Sequence, residues 1–165
     1  MSRRRLTEVG IAAVIVVLDQ AVKALVRSRI DLYESIRVIP EFFDLTRVHN
    51  YGAAFGMLNA VDLPFKSAIL AVIALGALAA IAWYGASLPD SQPLARLGLA
   101  LILGGAAGNL IDRVAAGYVL DFFDFYWRGW HFWAFNVADA AITVGVAFVL
   151  LDLLGVGQHR APRTV

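Results

Sequence analysis

The chain of 165 residues is 60% hydrophobic and only 16% charged, with a mean hydropathy of +0.71. Soluble domains carry about 25% charged residues, so this composition excludes a water-soluble globule and indicates an integral membrane protein. A formal charge of +1, spread along the chain, offers no nucleic-acid surface, and the lack of cysteine excludes disulfides, a thiol nucleophile and thiolate metal sites.

Arg3-Arg4-Arg5 precede an apolar run from Val9 to Val26, within a first span expected over 9–27. At about 1.5 Å per residue this run crosses roughly 30 Å of hydrocarbon. A cleavable signal peptide is the competing reading; Asp19, Gln20 and Lys23 inside the run and the lack of a small-x-small cleavage site speak against it. Asp19 and Lys23 are four apart with the acid first, the favourable order for a helical ion pair. Residues 29–64 then change character, with charges, Pro40, Pro64 and short apolar runs that predict a small β-rich insert outside the membrane. Within it, Asn50-Tyr51-Gly52-Ala53-Ala54-Phe55-Gly56 sets a polar amide among small residues, which allow close backbone approach to a ligand or simply make a glycine turn.

A second span is expected over 65–86, a breaker-rich turn from Ser87 to Pro93, and a third span over 94–111. So short a turn makes the two helices antiparallel neighbours, and Gly104 and Gly108 have the spacing of a helix-packing face. Asn109 and Arg113 share one face at the end of the third span. The connection 114–134 carries Asp121 and Asp124 among aromatics that suit a membrane interface. Asp121, flanked by apolar groups, has a raised proton affinity unless it is paired. A fourth span over 136–154 opens on Asn136-Val137-Ala138-Asp139, an acid and an amide on one helical face. An ionised Asp near hydrocarbon costs roughly 2.5 kcal/mol or more, so Asp139 needs a partner or a task.

The fold class expected is therefore an all-α membrane protein of four transmembrane helices with a small extracytoplasmic β-rich insert, forming one domain. Four spans put both termini on one side, and Arg3 to Arg5 with Arg160 and Arg163 make that side cytoplasmic. Chain direction then carries Asp19, Lys23, Asn109, Arg113, Asn136 and Asp139 to the outer leaflet, leaving Asp90 and Asp152 as solvated inner flanks. The three histidines lie singly, without zinc-hydrolase spacing, and no serine elbow is present. Two carboxyls held close share one proton, so that one serves as base toward water and the other as acid toward a carbonyl. Spacing alone leaves open whether Asp121 and Asp139 meet. Asp112 adjoins Arg113, which can neutralise it, and Asp124, three residues beyond Asp121 in an extended segment, points to the opposite face.

Asp19-Gln20-x-x-Lys23, Asn50-x-Gly52-Ala53-Ala54-Phe55, Gly108-Asn109-Leu110-Ile111-Asp112-Arg113, Val119-Leu120-Asp121-Phe122 and Phe135-Asn136-Val137-Ala138-Asp139 follow one another along nearly the whole chain. The series resembles the motifs of the lipoprotein signal peptidases, or signal peptidase II. That resemblance implies an aspartic endopeptidase of the bacterial plasma membrane that cuts prolipoproteins before a diacylglyceryl-modified cysteine. It carries the catalytic pair onto Asp121 and Asp139. It implies substrate-binding or supporting roles for Asp19, Lys23, Asn50, Gly52, Asn109, Arg113 and Asn136. It further implies no metal or other cofactor, and a monomer whose partners are the lipid-modified prolipoprotein and membrane lipids. Tyr51 fills a variable position of the family pattern, and Asp124 is an additional acid beside the pair.

Two other classes compete. A proton-coupled carrier also needs acids in a membrane cavity, but an outer-leaflet cluster without an internal repeat fits alternating access poorly. A magnesium-dependent headgroup transferase could use Asp and Asn as oxygen ligands, and sensitivity to a chelator separates it from a protease.

Overall fold

The computed structural model describes residues 3–53, 57–58, 61 and 63–156. Ala54, Phe55 and Gly56 of the second motif, and His159, Arg160 and Arg163, lie outside the described residues. The elements in order are α1 (Arg3–Arg29), β1 (Ser35–Ile39), β2 (Phe43–Asn50), α2 (Lys66–Ser87), α3 (Pro93–Ala116), β3 (Val119–Trp127), β4 (Trp130–His131) and α4 (Val137–Leu153). The fold is predominantly helical with one small antiparallel sheet, ordered β1-β2-β3-β4.

Helices α1, α2 and α3 are long and apolar enough to cross a membrane. α4 is shorter, with 17 residues, or about 26 Å at the usual helical rise. α2 buries none of its residues against the rest of the chain and turns Val72, Ile73, Leu75 and Trp83 outward, as an apolar helix does when its solvent is lipid.

α3 is the central helix. Pro93 opens it and Gly117, at φ +81°, ends it beyond Ala116 in the left-handed conformation, the usual assignment of these two residues to helix ends. α3 and α4 meet backbone to backbone where Gly98 faces Gly145: a Cβ on either would stand 2.5 Å from the other's carbonyl oxygen. Gly104 receives α1 in the same way, since a Cβ there would lie 2.8 Å from the Ala12 carbonyl oxygen. Small residues at such positions let helices approach closely enough for dispersion to hold them without a solvent-driven core.

The sheet joins two parts of the chain that are distant in sequence. β1 and β2 come from the insert, and β3 comes from the connection between α3 and α4, with Val48 opposite Asp121 and Asn50 opposite Val119. Side chains alternate across a strand, and Leu120 and Phe122 pack with Val26 and Ile30 at the end of α1. Asp121, between them, is turned the other way. Phe135 pairs with Phe123, its N–H donating to the Phe123 carbonyl across 3.2 Å, so the chain reaches the start of α4 directly beside β3.

Asp152, expected as a solvated flank, is buried in the structure at 1% exposure; it sits on the side of α4 that faces the bundle. Asp90 is exposed as expected and lies 3.5 Å from Arg4.

Candidate active site

Three helix ends and one sheet edge converge on a single polar cluster that contains all nine residues singled out from the sequence. Its scaffold is the first turn of α4. Asn136 caps that helix, its Oδ1 accepting from the Asp139 N–H at 2.9 Å, while Asp139 Oδ2 accepts from the Asn136 N–H at 3.2 Å. This reciprocal arrangement is a capping box built from Asn and Asp, and it fixes the Asp139 side chain through backbone groups that helix formation leaves unpaired. A third free N–H of the same turn, Ala138, donates to Asp19 Oδ1 from α1 at 3.0 Å. Carboxylates at a helix N-terminus are favoured by the helix dipole.

From this turn the contacts run to both sides. The Asn136 side-chain amide donates to Asp121 Oδ1 at 2.7 Å, to the Leu120 carbonyl at 3.2 Å and to Asn109 Oδ1 at 3.1 Å. Asn109 in turn donates from Nδ2 to Asp139 Oδ1 at 2.7 Å. The two carboxyl groups are thus joined through two amides. The direction of the Asn109 amide is set by Lys23, whose Nζ lies 3.1 Å from Asn109 Oδ1. An ammonium only donates, so it must meet the amide oxygen, which leaves the amide nitrogen for Asp139. Asp121 Oδ2 accepts from Asn50 Nδ2 at 3.0 Å. Asn50 is held by the Gly52 N–H at 2.9 Å, and the Gly52 carbonyl accepts from Arg113 Nη2 at 3.1 Å. Arg113 also reaches the Asn109 carbonyl at 3.4 Å, closing the circuit.

Beneath this layer lies a largely buried ionic cluster. Lys23 is fully buried between Asp19, at 2.8 Å, and Asp112, at 2.9 Å. Gly108 makes room for it, since a Cβ there would stand 2.7 Å from Asp19 Oδ2. Burying an ion alone is costly, and here each ion has a partner and further hydrogen bonds. In the whole cluster four carboxyls, Asp19, Asp112, Asp121 and Asp139, accompany three cations, Lys23, Arg27 and Arg113. One proton on one carboxyl brings these seven groups to neutrality.

Asp121 holds that proton readily. Burial first, and then the nearby Asp139 carboxyl, push it up to about 7, against the opposing pull of the Asn50 and Asn136 amides. Asp121 is 3% exposed, whereas Asp139 is half-buried and reachable from outside. A pair of carboxyls with one proton between them, one of the two reachable from outside, can activate a water and protonate a carbonyl.

The family model described as signal peptidase (SPase) II matches residues 11–155. The chain belongs to the signal peptidase II family. Members of that family are proteases. The chain is 48% identical over 144 residues to the lipoprotein signal peptidase of Geobacter metallireducens, which covers 87% of this chain and 88% of that protein. It is 49% identical over 144 residues to the lipoprotein signal peptidase of Symbiobacterium thermophilum, covering 87% and 91%. It is also similar to a solved structure described as a bacterial membrane enzyme, determined by the in meso method at 2.3 Å resolution, with a TM-score of 0.79 and 32% identity over 96% of this chain and 94% of that one.

The remaining acids of this signal peptidase II chain lie apart from the two joined carboxyls. Asp124 accepts from His131 at 2.9 Å on the other side of β3. Asp112 is not neutralised by its neighbour Arg113, as the sequence suggested; its partners are Lys23 and Arg27, because adjacent helical residues point in different directions. Gln20, Arg27 and Asp112 were not singled out as site residues, yet Gln20 bridges Asp19, at 3.1 Å, and the Gly108 carbonyl, at 3.1 Å. A signal for two of them was present: Asp19, Lys23 and Arg27 recur every four residues on α1, and Asp112 follows Gly108 by four and Asn109 by three on α3.

Proposed function

We propose that this chain is an aspartic endopeptidase that removes the signal peptide from diacylglyceryl-modified prolipoproteins, with Asp121 and Asp139 as the catalytic pair. The observation that carries this reading is the run Asp121–Asn136–Asn109–Asp139, in which two amides orient both carboxyls into one partly open polar site. In the reaction one carboxylate takes a proton from water as the water oxygen attacks the carbonyl carbon preceding the lipidated cysteine. The protonated partner donates to the carbonyl oxygen. Collapse of the tetrahedral intermediate breaks the C–N bond, and a proton passes to the departing amine, leaving a new carboxyl terminus on the signal peptide and a free α-amino group on the cysteine. No cofactor takes part.

Asn109, Asn136 and Asn50 orient the two acids, while Asp19 and Lys23 support Asn109 and the α4 start. Gly52 and Arg113 stand beside the substrate site, the buried Gly52 backbone holding Asn50 through its N–H and Arg113 through its carbonyl. The α4 segment completes four spans over 9–27, 65–86, 94–111 and 136–154, with the insert 29–64 and the connection 114–134 outside the bacterial plasma membrane and both termini cytoplasmic. Arg3, Arg4 and Arg5 at one end of α1, and the clustering of buried polar groups toward its other end, support that orientation. The site then lies near the outer leaflet, where the diacylglyceryl chains of the substrate rest in lipid and contribute binding. The enzyme acts as a monomer.

The deciding experiment is cleavage of a precursor by purified enzyme in detergent, with the precursor lipidated or not and with or without chelator. Cleavage restricted to the lipidated form and unchanged by chelator is expected. Equal rates on both precursors would remove the lipid from recognition, and loss of activity with chelator would favour metal chemistry.

A further inference from the structure

Asp112 lies in the ionic cluster and does not contact either acid of the pair, yet its carboxylate is among the most heavily bonded groups in the chain. It is 1% exposed. Oδ2 accepts from Lys23 at 2.9 Å and from the Leu120 backbone N–H at 3.1 Å, and Oδ1 accepts from Arg27 at 3.0 Å and Gln20 at 3.5 Å. The Leu120 contact is the informative one. Leu120 immediately precedes Asp121, and its carbonyl accepts from Asn136 at 3.2 Å. Both backbone polar groups of Leu120 are therefore held by side chains of other elements, its N–H by α3 and its carbonyl by the cap of α4.

We propose that Asp112 is a positioning residue for Asp121: by anchoring the Leu120 N–H to the end of α3, it sets where β3 carries the Asp121 carboxyl relative to Asn109 and Asp139. This inference rests on the reading of Asp121 as one of the catalytic pair. Among the described residues the hydrogen bond from the Leu120 N–H to Asp112 ties β3 directly to α3, and the Gly117 N–H to the Arg113 carbonyl at 3.1 Å closes the end of α3 itself. Lys23 and Arg27 give the anchor its stiffness. They hold the buried Asp112 carboxylate from two sides, so its oxygen toward Leu120 cannot swing away without separating it from these charges. An error of about 1 Å in the place of a reacting group costs on the order of 100-fold in rate.

The test compares Asp112→Asn, Arg27→Gln and Asp121→Asn by steady-state cleavage of a lipidated precursor, using monodisperse enzyme whose melting has been measured. Asp112→Asn keeps an oxygen for Leu120 but loses the ionic grip on it. Its kcat is expected to fall roughly 10- to 100-fold while KM stays within about 3-fold, a split that mere loss of folded enzyme does not give when rates are expressed per folded molecule. Arg27 is partly exposed, so Arg27→Gln folds even where Asp112→Asn does not; its kcat is expected to fall about 3- to 10-fold with melting unchanged. Wild-type kcat in folded Asp112→Asn, or in Arg27→Gln where the former does not fold, overturns the positioning role. The reading beneath it fails separately, through an active Asp121→Asn.

Discussion

Asn136 donates its side-chain amide to Asp121 across 2.7 Å, so the residue that caps α4 also holds a carboxyl borne by β3. One side chain therefore does a stabilising and an orienting task, and the two can be separated. Serine caps helices as well as asparagine does, but its short hydroxyl cannot also span the gap to Asp121. Asn136→Ser keeps the cap but leaves buried acceptors without their donor, so it is expected to lose about 1–3 kcal/mol of stability, while its kcat per folded molecule falls at least roughly 10-fold. Thermal melting and cleavage kinetics on the same preparation check both halves. A wild-type kcat per folded molecule would mean that Asn136 serves the fold alone.

The environments of Asp121, Asp139 and Asp124 differ enough to rank them by substitution. Asp121→Asn and Asp139→Asn preserve shape but cannot pass a proton, and each sets an amide NH2 against one of the two donors its carboxyl accepts from, so each is expected to lower turnover by at least about 1,000-fold without loss of membrane insertion. Asp124 is turned to His131 on the far side of β3, and Asp124→Asn is expected to retain most activity. An inactive Asp124→Asn beside an active Asp121→Asn would reassign the pair.

Proton uptake by Asp121 also leaves a mark on stability. Its folded-state value of about 7 lies above its ordinary 3.8, so between these pH values the folded chain holds a proton that the unfolded chain has released. The stability linked to Asp121 is therefore complete below about pH 4 and is lost as pH rises through about 7, at no more than about 1.4 kcal/mol per pH unit. Asp121→Asn lacks this dependence. Melting in detergent is expected to place the variant progressively higher relative to wild type from about pH 5 to about pH 8. A constant difference across that range would show that Asp121 remains ionised throughout. On the proposed mechanism, once both carboxyls are ionised no acid remains for the carbonyl, and kcat/KM is expected to decline above about pH 7.

Orientation is open to a reporter. The turn between α2 and α3 contains Leu88 and is tied to the start of α1 through Arg4 and Asp90. A reporter fused after Leu88 is expected to be cytoplasmic, and one placed in the connection near Gly129 to be external. Outward accessibility at Leu88 would invert the orientation and move the cluster to the inner face.

The helices were legible because long apolar runs bounded by Pro93 or by charge leave few alternatives in lipid, although α3 continues past the expected end at 111 to Ala116. Asp139 stood out among the candidate site residues because an acid at the start of such a run is costly, whereas the roles expected of Asp121, Asn50, Gly52, Asn109 and Arg113 rested on the resemblance. Two things were not legible. The pairing of β2 with β3 joins Val48 to Asp121 across more than 70 residues and two helices, and no local pattern encodes such a partner. The partner of Asp112 was misjudged because its chain neighbour Arg113 stood in for spatial neighbours on another helix. Likewise Asp152 follows the last apolar residues of its run, as a solvated flank would, and only the arrangement of the helices turns it inward.

The shared sheet of β2 and β3 carries a mechanical meaning. Asp121 and Asn50 ride on the sheet, whereas Asp139, Asn109 and Asn136 ride on the paired helices α3 and α4, so the boundary between two bodies of the fold passes between the two carboxyls. Their separation is then a joint coordinate, not a property of either body.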